Sequence, residues 1–179
     1  MVYEEDVPGG TIRYRGLFDW GGLYYSIADW FKRYNFYLHE ETYKHKVPSP
    51  RGAEQELNWY GDIEMNEFIK FRIKVDFHIW DMTELEVVKN GKKKLLTNAR
   101  IEIKLSGKIT WDWQGRFEKN KFTRALQGLW VRHIFRREVS SLWGDMLFYR
   151  MWNLHAHIKK YLDMQAQYHA YAGYLGEER

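Results

Sequence analysis

The strongest constraint on the fold is a pair of long alternating segments that flank Asn90-Gly91. Every odd-numbered residue from Ile69 to Ile79 is apolar, and the residues between them are charged or histidine. The segment from Ala99 to Trp113 again places most of its apolar residues on odd numbers. An apolar period of two is typical of a strand with one buried face, and Asn-Gly favours a two-residue hairpin turn. The sequence therefore predicts one long hairpin with a single apolar face.

The parity of the two segments predicts a β-bulge in this hairpin. A two-residue turn at Asn90-Gly91 would pair each odd-numbered residue with an even-numbered one, so that apolar side chains would oppose charged ones. One inserted residue restores a shared apolar face, and we expect it at residues 80–82 or 97–98. The predicted apolar pairs are Ile79–Ile103, Phe77–Leu105, Ile73–Ile109 and Phe71–Trp111, and the predicted polar pairs are Lys70–Asp112 and His78–Lys104.

The rest of the chain predicts a single α+β domain over residues 1–179. We expect a flexible leader at 1–10, a strand and a helix at 11–35, an antiparallel sheet at 36–115, and a long helix or helical pair at 120–170. The predicted order is β-α-β-β-β-β-α, a two-layer arrangement in which an N-terminal and a C-terminal helix pack on a curved antiparallel sheet of 4–6 strands.

Local signals add detail to this prediction. Asp19 occupies an N-cap position, where its carboxylate would bind the amides of the first helical turn, so Gly21-Gly22 is expected to allow close packing rather than to bind phosphate. We expect residues 48–55 to form a loop and Gly61 to interrupt a strand. Gly144 and Ser140-Ser141 are expected to kink or break the C-terminal helical region, which is either one helix or two. The apolar stripe of that helix is expected to include Leu142, Met146, Tyr149, Trp152, Ala156, Ile158 and Leu162.

This element order resembles the helix-grip fold of START-like and Bet v 1-like proteins, in which a curved sheet wraps a long C-terminal helix. The resemblance implies a cavity between the sheet and the helix, and it implies nothing about the ligand. Residues 79–107 are also similar in character to segments of small archaeal proteins, a resemblance that carries no function with it.

Composition excludes several kinds of chemistry. The chain has no cysteine, which rules out disulfide bonds, thiolate metal sites and a cysteine nucleophile. The acidic N-terminus lacks the apolar region of a signal peptide, and no run approaches the ~20 apolar residues that span a bilayer. The sequence therefore predicts a soluble, cytoplasmic protein. Its net charge of +4 permits binding to nucleic acid without requiring it.

No motif predicts a catalytic residue, a metal site or a cofactor. His155 and His157 are two residues apart on a helix and point in nearly opposite directions, and Ser140-Ser141 lacks the strand-to-helix elbow of an activated serine. Asp81 is open to two interpretations. It is either a buried base with a raised pKa, or, as we favour, the residue that marks the bulge and points to solvent.

The aromatic content of 18% exceeds what one core of this size readily absorbs. One hypothesis is a cavity for an apolar small molecule, lined by Phe77, Trp80, Trp111 and Trp113. The other is a homo-oligomer interface on the C-terminal helix, formed by Trp130, Phe135, Trp143, Phe148 and Trp152. Two basic patches favour a third hypothesis, a nucleic-acid surface, formed by Lys92, Lys93, Lys94, Arg132, Arg136 and Arg137.

These patterns together favour a non-catalytic structural or interaction protein that self-associates through aromatic helix surfaces. A helix that is apolar over most of its circumference must be buried on two sides, and a second copy of the chain supplies the second side most easily. The alternatives are a helix-grip-like binder of an apolar ligand and an accessory nucleic-acid-binding protein.

Overall fold

The computed structural model describes residues 3–49, 52–89, 92–115 and 136–164, and it shows an α+β protein with a six-stranded antiparallel sheet. This confirms the predicted fold class. The elements in chain order are β1 (Tyr3–Val7), β2 (Thr11–Phe18), α1 (Trp20–Arg33), β3 (Tyr37–Ser49), β4 (Gly52–Glu64), β5 (Ile69–Lys89), β6 (Lys92–Trp111) and α2 (Arg136–Tyr161).

One edge of the sheet is made by two short strands in succession. Strands β3, β4, β5 and β6 are neighbours in that order, and β1 and β2 both pair with the free side of β6. The break between them falls at Pro8-Gly9-Gly10, where the amide of Leu105 donates to the carbonyl of Gly10 at 2.8 Å. The predicted flexible leader is therefore wrong for Tyr3–Val7, because β6 extends beyond β2 and its exposed backbone groups find partners in β1.

The predicted bulge lies in β5. Trp80 faces Arg100 and Thr83 faces Asn98, so that Asp81 and Met82 together oppose a single residue of β6. Asp81 has a φ of 58°, the left-handed conformation that accommodates an extra residue in a strand. Residues 80–82 were one of the two predicted places.

The bulge restores a shared apolar face, as predicted, but the predicted partners are wrong by two residues. An insertion in β5 shifts the register in the opposite direction from an insertion in β6. The structure therefore pairs Ile79 with Ile101, Phe77 with Ile103, Ile73 with Gly107 and Phe71 with Ile109, in place of Ile103, Leu105, Ile109 and Trp111. For the same reason Lys70 faces Thr110 rather than Asp112, and His78 faces Glu102 rather than Lys104.

Both described helices pack on the inner face of the sheet. All the odd-numbered residues from Ile69 to Ile79 and from Ala99 to Trp111 are buried there. Burial of a large apolar side chain contributes on the order of 1.5–3 kcal/mol relative to exposure, so this face dominates the stability of the protein. The two helices also contact each other, because the indole Nε1 of Trp30 donates to the Oδ1 of Asn153 at 2.6 Å.

The buried stripe of α2 agrees with the predicted one only near its C-terminal end, where Ile158 and, just beyond the helix, Leu162 are buried. It consists of Leu147, Met151, Leu154 and Ile158, at helical spacing, whereas Leu142 is 68% exposed and Met146 is 38% exposed. Tyr149 and Trp152 are half-buried. Periodicity identified the helix, but several apolar stripes compete on it, and only packing against the sheet selects one.

The helix α2 is continuous from Arg136 to Tyr161, so neither Ser140-Ser141 nor Gly144 breaks it. The predicted loop is also shorter than expected, because β3 continues to Ser49 and β4 begins at Gly52. Among the described helices, none is both long enough and apolar enough to cross a membrane.

Asp19 caps α1 as predicted, because its Oδ1 accepts from the amide of Gly22 at 2.8 Å. A side chain at Gly22 would collide with the hydroxyl of Tyr161, so the glycine allows the end of α2 to approach the start of α1. Burial, and then the nearby Asp19 carboxylate, raise the pKa of that tyrosine. The predicted packing role of the glycine pair is thereby confirmed at Gly22.

Gly61 does not interrupt β4, which runs through it from Gly52 to Glu64. A Cβ at Gly61 would instead collide with the ring of Phe31, a fully buried residue of α1. The missing side chain therefore allows this ring to lie directly on the sheet.

We predict opposite effects of alanine at two glycines. Gly61→Ala should lower the free energy of unfolding by about 1–3 kcal/mol, because the added methyl group overpacks a filled core. Gly144→Ala should raise it by up to about 1 kcal/mol, because the position is helical and open. Urea unfolding followed by circular dichroism measures both changes. A neutral Gly61→Ala would contradict the close approach of Phe31.

A candidate anion-binding site on the outer face of the sheet

The outer face of the sheet, opposite the two helices, carries the even-numbered residues of β4 and β5, and most of its charges are paired. Lys46 donates to the carboxylates of Glu54 and Glu56 at 3.0 and 3.1 Å. Asp62 binds both Lys70, at 2.8 Å, and Arg72, at 2.6 Å. Burial would raise the pKa of Asp62, but the hydrogen bonds from Arg72 and Lys70 outweigh it and hold the pKa below its usual value. This part of the face is electrostatically balanced.

One line of side chains, which crosses the outer face from β2 through β6 to β5, carries positive charge that is not balanced. Arg15 on β2 lies directly opposite Arg100 on β6, and Arg100 lies directly opposite Trp80 on β5. Like charges at directly opposite positions destabilise a sheet. Within the described ranges, Arg15 has no carboxylate at ion-pair distance. The one described carboxylate at ion-pair distance from Arg100 is that of Asp81, at 3.7 Å, and the two side chains are 55% and 52% exposed. Such exposed contacts contribute little, so this line of side chains keeps an uncompensated positive charge.

Trp80 positions the guanidinium of Arg100. The guanidinium carbon lies 4.9 Å from the centre of the indole ring, within the range of a cation–π interaction. The ring of His78 is stacked on the same indole, with centroids 3.8 Å apart. The indole of Trp80 thus contacts both His78 and Arg100. The half-buried tryptophan therefore limits the conformations of an otherwise exposed arginine.

A second arginine, Arg13, is held in place by the residue opposite it on β6. Arg13 donates through Nε to Glu102 at 2.5 Å, and Lys104 contacts the other carboxylate oxygen at 3.0 Å. These hydrogen bonds, first from Arg13 and then from Lys104, lower the pKa of Glu102, so it is a carboxylate at neutral pH. A single acidic residue thus holds Arg13 beside Arg15 and Arg100.

These residues line one groove of about 470 Å³ at the level of the bulge. Its lining residues are Arg13, Tyr14, Arg15, Trp80, Arg100, Ile101 and Glu102. The volume lies within the range of small-molecule sites. Guanidinium groups present planar, forked donors that match the oxygens of phosphates and carboxylates. The groove can therefore bind an anion with several oxygen atoms.

The structure separates the residues of the predicted apolar cavity. Phe77 and Trp111 are buried on the inner face, where Phe77 contacts Trp20 and Trp59 through edge-to-face ring pairs. Trp80 lies on the opposite face of the sheet.

Trp113, the last residue of that set, lies beyond the end of β6, where its Nε1 donates to the carbonyl of Asn66 at 3.2 Å. Within the described part of the chain, the predicted set therefore does not line a common cavity. An apolar ligand between the sheet and the helices stays a prediction.

The residues of the predicted interface lie partly in the fold itself. Trp143 and Phe148 are half-buried and pack against the core, and Trp152 lies beside Gly10. Trp130 and Phe135 fall outside the described residues. No contact among the described residues tests the homo-oligomer, which stays a prediction.

The predicted nucleic-acid residues are dispersed. Lys93 and Lys94 are exposed near the tip of the β5–β6 hairpin, and Lys93 pairs with Glu86 at 3.3 Å. Lys92 is the first residue of β6, and Arg136 and Arg137 begin α2, but their side chains are not among those described. Arg132 lies outside the described residues.

The prediction for Asp81 is confirmed, and the prediction for Asp112 is wrong. Asp81 is exposed at the bulge, which confirms the interpretation that we favoured over a buried base. The predicted pair between Asp112 and Lys70 is wrong, because Asp112 is buried just beyond β6 and Lys70 binds Asp62 instead.

Sequence reasoning missed a three-residue cluster that could ligate a metal, formed by Glu54, Glu56 and His78. His78 Nε2 lies 2.6 Å from Glu54. Lys46 already binds both carboxylates, so an ammonium group holds the position that a cation would take. Sequence reasoning also missed the site of Arg15 and Arg100, because only the register between β2 and β6 brings them together.

We predict that Arg15→Glu stabilises the protein by about 0.2–1 kcal/mol, because it replaces a like-charge pair with an attractive one opposite Arg100. Arg13→Glu is the matched control on the same face of β2, and it should destabilise the protein by a similar amount because it opposes Glu102. Urea unfolding at low ionic strength measures both, and added salt should reduce both effects. A destabilising Arg15→Glu would show that the charge of Arg15 is compensated.

No protein-family model, no curated protein and no solved structure matches this chain. The resemblance to the helix-grip fold accordingly rests on the order of the elements, and the site rests on the geometry of its own residues.

Proposed function

We propose that this protein binds a phosphate-bearing ligand in the groove formed by Arg13, Arg15 and Arg100. The observation that carries the proposal is the direct opposition of Arg15 and Arg100 without an effective counter-charge. Most of the other described charges on the outer face are paired, among them Lys46 with Glu54, Lys70 with Asp62 and Lys108 with Glu4. A like-charge pair that is left without an effective counter-charge beside a groove is typical of a binding site, where the ligand supplies the missing charge.

The chemistry of the groove favours phosphate over a single carboxylate. Three guanidinium groups converge there, and each offers several N–H donors in a rigid fork. One carboxylate has two oxygen atoms and can satisfy about one such fork, whereas a phosphate or diphosphate can accept from several arginines at once. Trp80 and Glu102 hold Arg100 and Arg13 in place, which lowers the entropy lost on binding.

We expect inorganic pyrophosphate to bind in this groove. In a nuclear magnetic resonance titration, the Nε–H signals of Arg13, Arg15 and Arg100 should shift and saturate together. Arg33, which pairs with Asp29 on α1, is an internal control whose signal should not change. Trp80→Ala should weaken binding by about 2–5-fold, the equivalent of an exposed cation–π interaction of roughly 0.5–1 kcal/mol.

The same titration can refute the proposal. Shifts that never saturate, or that are equal at Arg33 and Arg15, would show only general attraction between pyrophosphate and a basic protein. A Trp80→Ala variant that binds as well as the parent protein would show that Arg100 needs no positioning. Tyr25→Ala, at an exposed position of α1, controls for the loss of an aromatic side chain.

A second function, self-association through α2, is supported by a separate observation. Leu142 and Met146 are four residues apart, and both project outward from the face that packs on the sheet. Exposed apolar side chains at this spacing suit a second helix, and a second copy of the chain would present the same stripe. This proposal keeps α2 as the interface but moves its centre away from the tryptophans, which contribute to the fold.

We expect sedimentation velocity to show a dimer or larger species at micromolar concentration. The double variant Leu142→Glu, Met146→Glu should shift the population to monomer, because it places two carboxylates in the apolar stripe. Lys160→Glu, an exposed charge change near the other end of α2, should leave the distribution unchanged. A parent protein that sediments as a monomer at all concentrations would refute self-association.

A further inference from the structure

The hairpin of β5 and β6 continues well beyond the groove. Past the bulge, residues 85–89 of β5 pair only with residues 92–96 of β6 among the described strands, because β4 ends its pairing at Met82 and β2 at Thr97. The two strands thus project from the sheet as a ribbon. The bulge is in β5, so the alternation of β6 is uninterrupted from Lys94 to Arg100.

The outer face of the ribbon carries one more uncompensated cation. Lys94 is six residues from Arg100 on the same strand, so both side chains lie on the same face, about 20 Å apart at the rise of a β-strand. Lys94 is exposed and has no ion pair within the described ranges. Lys93 lies on the opposite face and pairs with Glu86.

The surface between the groove and Lys94 has no charged side chain on β6, where Asn98 and Leu96 lie, and it includes two exposed leucines of the neighbouring strands. Leu17 of β2 and Leu85 of β5 are 41% and 47% exposed. Leu17 faces Asn98, and Leu85 faces Leu96, so both leucines lie on the same side of the sheet as Arg100 and Lys94. Cations therefore lie at the two ends of an uncharged surface that includes exposed leucines.

We propose that the phosphate-bearing ligand is a single-stranded nucleic acid that runs along the outer face of β6, from the groove of Arg15 and Arg100 to Lys94. This inference rests on the function proposed above and names its ligand. A single phosphate group cannot reach cations about 20 Å apart, whereas a polynucleotide presents phosphates repeatedly along its length.

The exposed leucines between the cations favour a single strand over a duplex. Unpaired bases lie on apolar and aromatic side chains and are recognised with little regard to sequence. The duplex hides its bases and presents phosphates to both sides. The open, shallow outer face therefore suits a strand whose phosphates contact Arg15, Arg100 and Lys94 and whose bases cover Leu17 and Leu85.

The test compares a fluorescent oligothymidylate of about 12 nucleotides, a length within the range of single-strand sites, with pyrophosphate as a competitor. In fluorescence anisotropy, the oligonucleotide should bind at least tenfold more tightly than pyrophosphate. Contacts with about three phosphates should give a slope near −2 for log affinity against log salt, and Lys94→Glu should reduce its magnitude by about 0.7.

Matched variants locate the path of the strand. Lys94→Glu should weaken oligonucleotide binding several-fold without affecting pyrophosphate, and Lys93→Glu, the same change on the opposite face, should affect neither. Arg15→Glu should abolish binding of both ligands. Because that variant is expected to be more stable than the parent protein, loss of binding would not reflect unfolding, and circular dichroism verifies this for every variant.

Each contrary result has a distinct meaning. Saturable pyrophosphate binding with no gain for the oligonucleotide would overturn the nucleic-acid assignment and leave the proposed function intact. Failure of both ligands would overturn both. Equal losses in Lys93→Glu and Lys94→Glu would overturn the path along β6, and a duplex that binds as tightly as the single strand would overturn the single-strand assignment.

Discussion

The pairing of β5 with β6 is the interaction on which the rest of the structure depends. These are the longest strands, and they supply the largest continuous part of the buried face. The pairing alone would set apolar residues against charged ones, because a two-residue turn between two odd-numbered apolar series has the wrong parity. The single extra residue at Asp81 resolves the conflict. The pairing of β5 with β4 also ends at this bulge, and beyond it β5 pairs with β6 as the two-stranded ribbon.

The two faces of the sheet are stabilised by different physics. The inner face gains free energy from apolar area removed from water, with α1 and α2 placed over it. The outer face contains charges that mostly cancel in local pairs, such as Asp62 with Arg72. Against this balance the opposition of Arg15 and Arg100 stands out, and it occurs beside the bulge, where strands commonly redirect side chains toward binding sites.

Much of the fold could be predicted from local patterns, and most of the candidate site could not. The alternation of β5 and β6, the N-cap at Asp19 and the need for a bulge follow from sequence because they depend on near neighbours. The partner register was missed by two residues, because the sequence does not show which strand holds the extra residue. The core stripe of α2 was predicted correctly at Ile158 but wrongly at Leu142 and Met146, since an aromatic-rich helix offers several apolar faces. Arg15 and Arg100 are 85 positions apart, so only strand pairing reveals their opposition.

Period-two alternation specifies strands, and with them which side chains share a face, because neighbouring residues in an extended chain point to opposite sides. Cysteine-free composition likewise excludes thiolate chemistry without reference to any fold. Tertiary structure decided which strands and faces are in contact. It paired β1 and β2 with β6, and it placed both described helices on the inner face of the sheet, opposite the arginines. Contacts between distant residues depend on register and on competition between alternative packings. These are properties of the whole chain, and no local pattern encodes them.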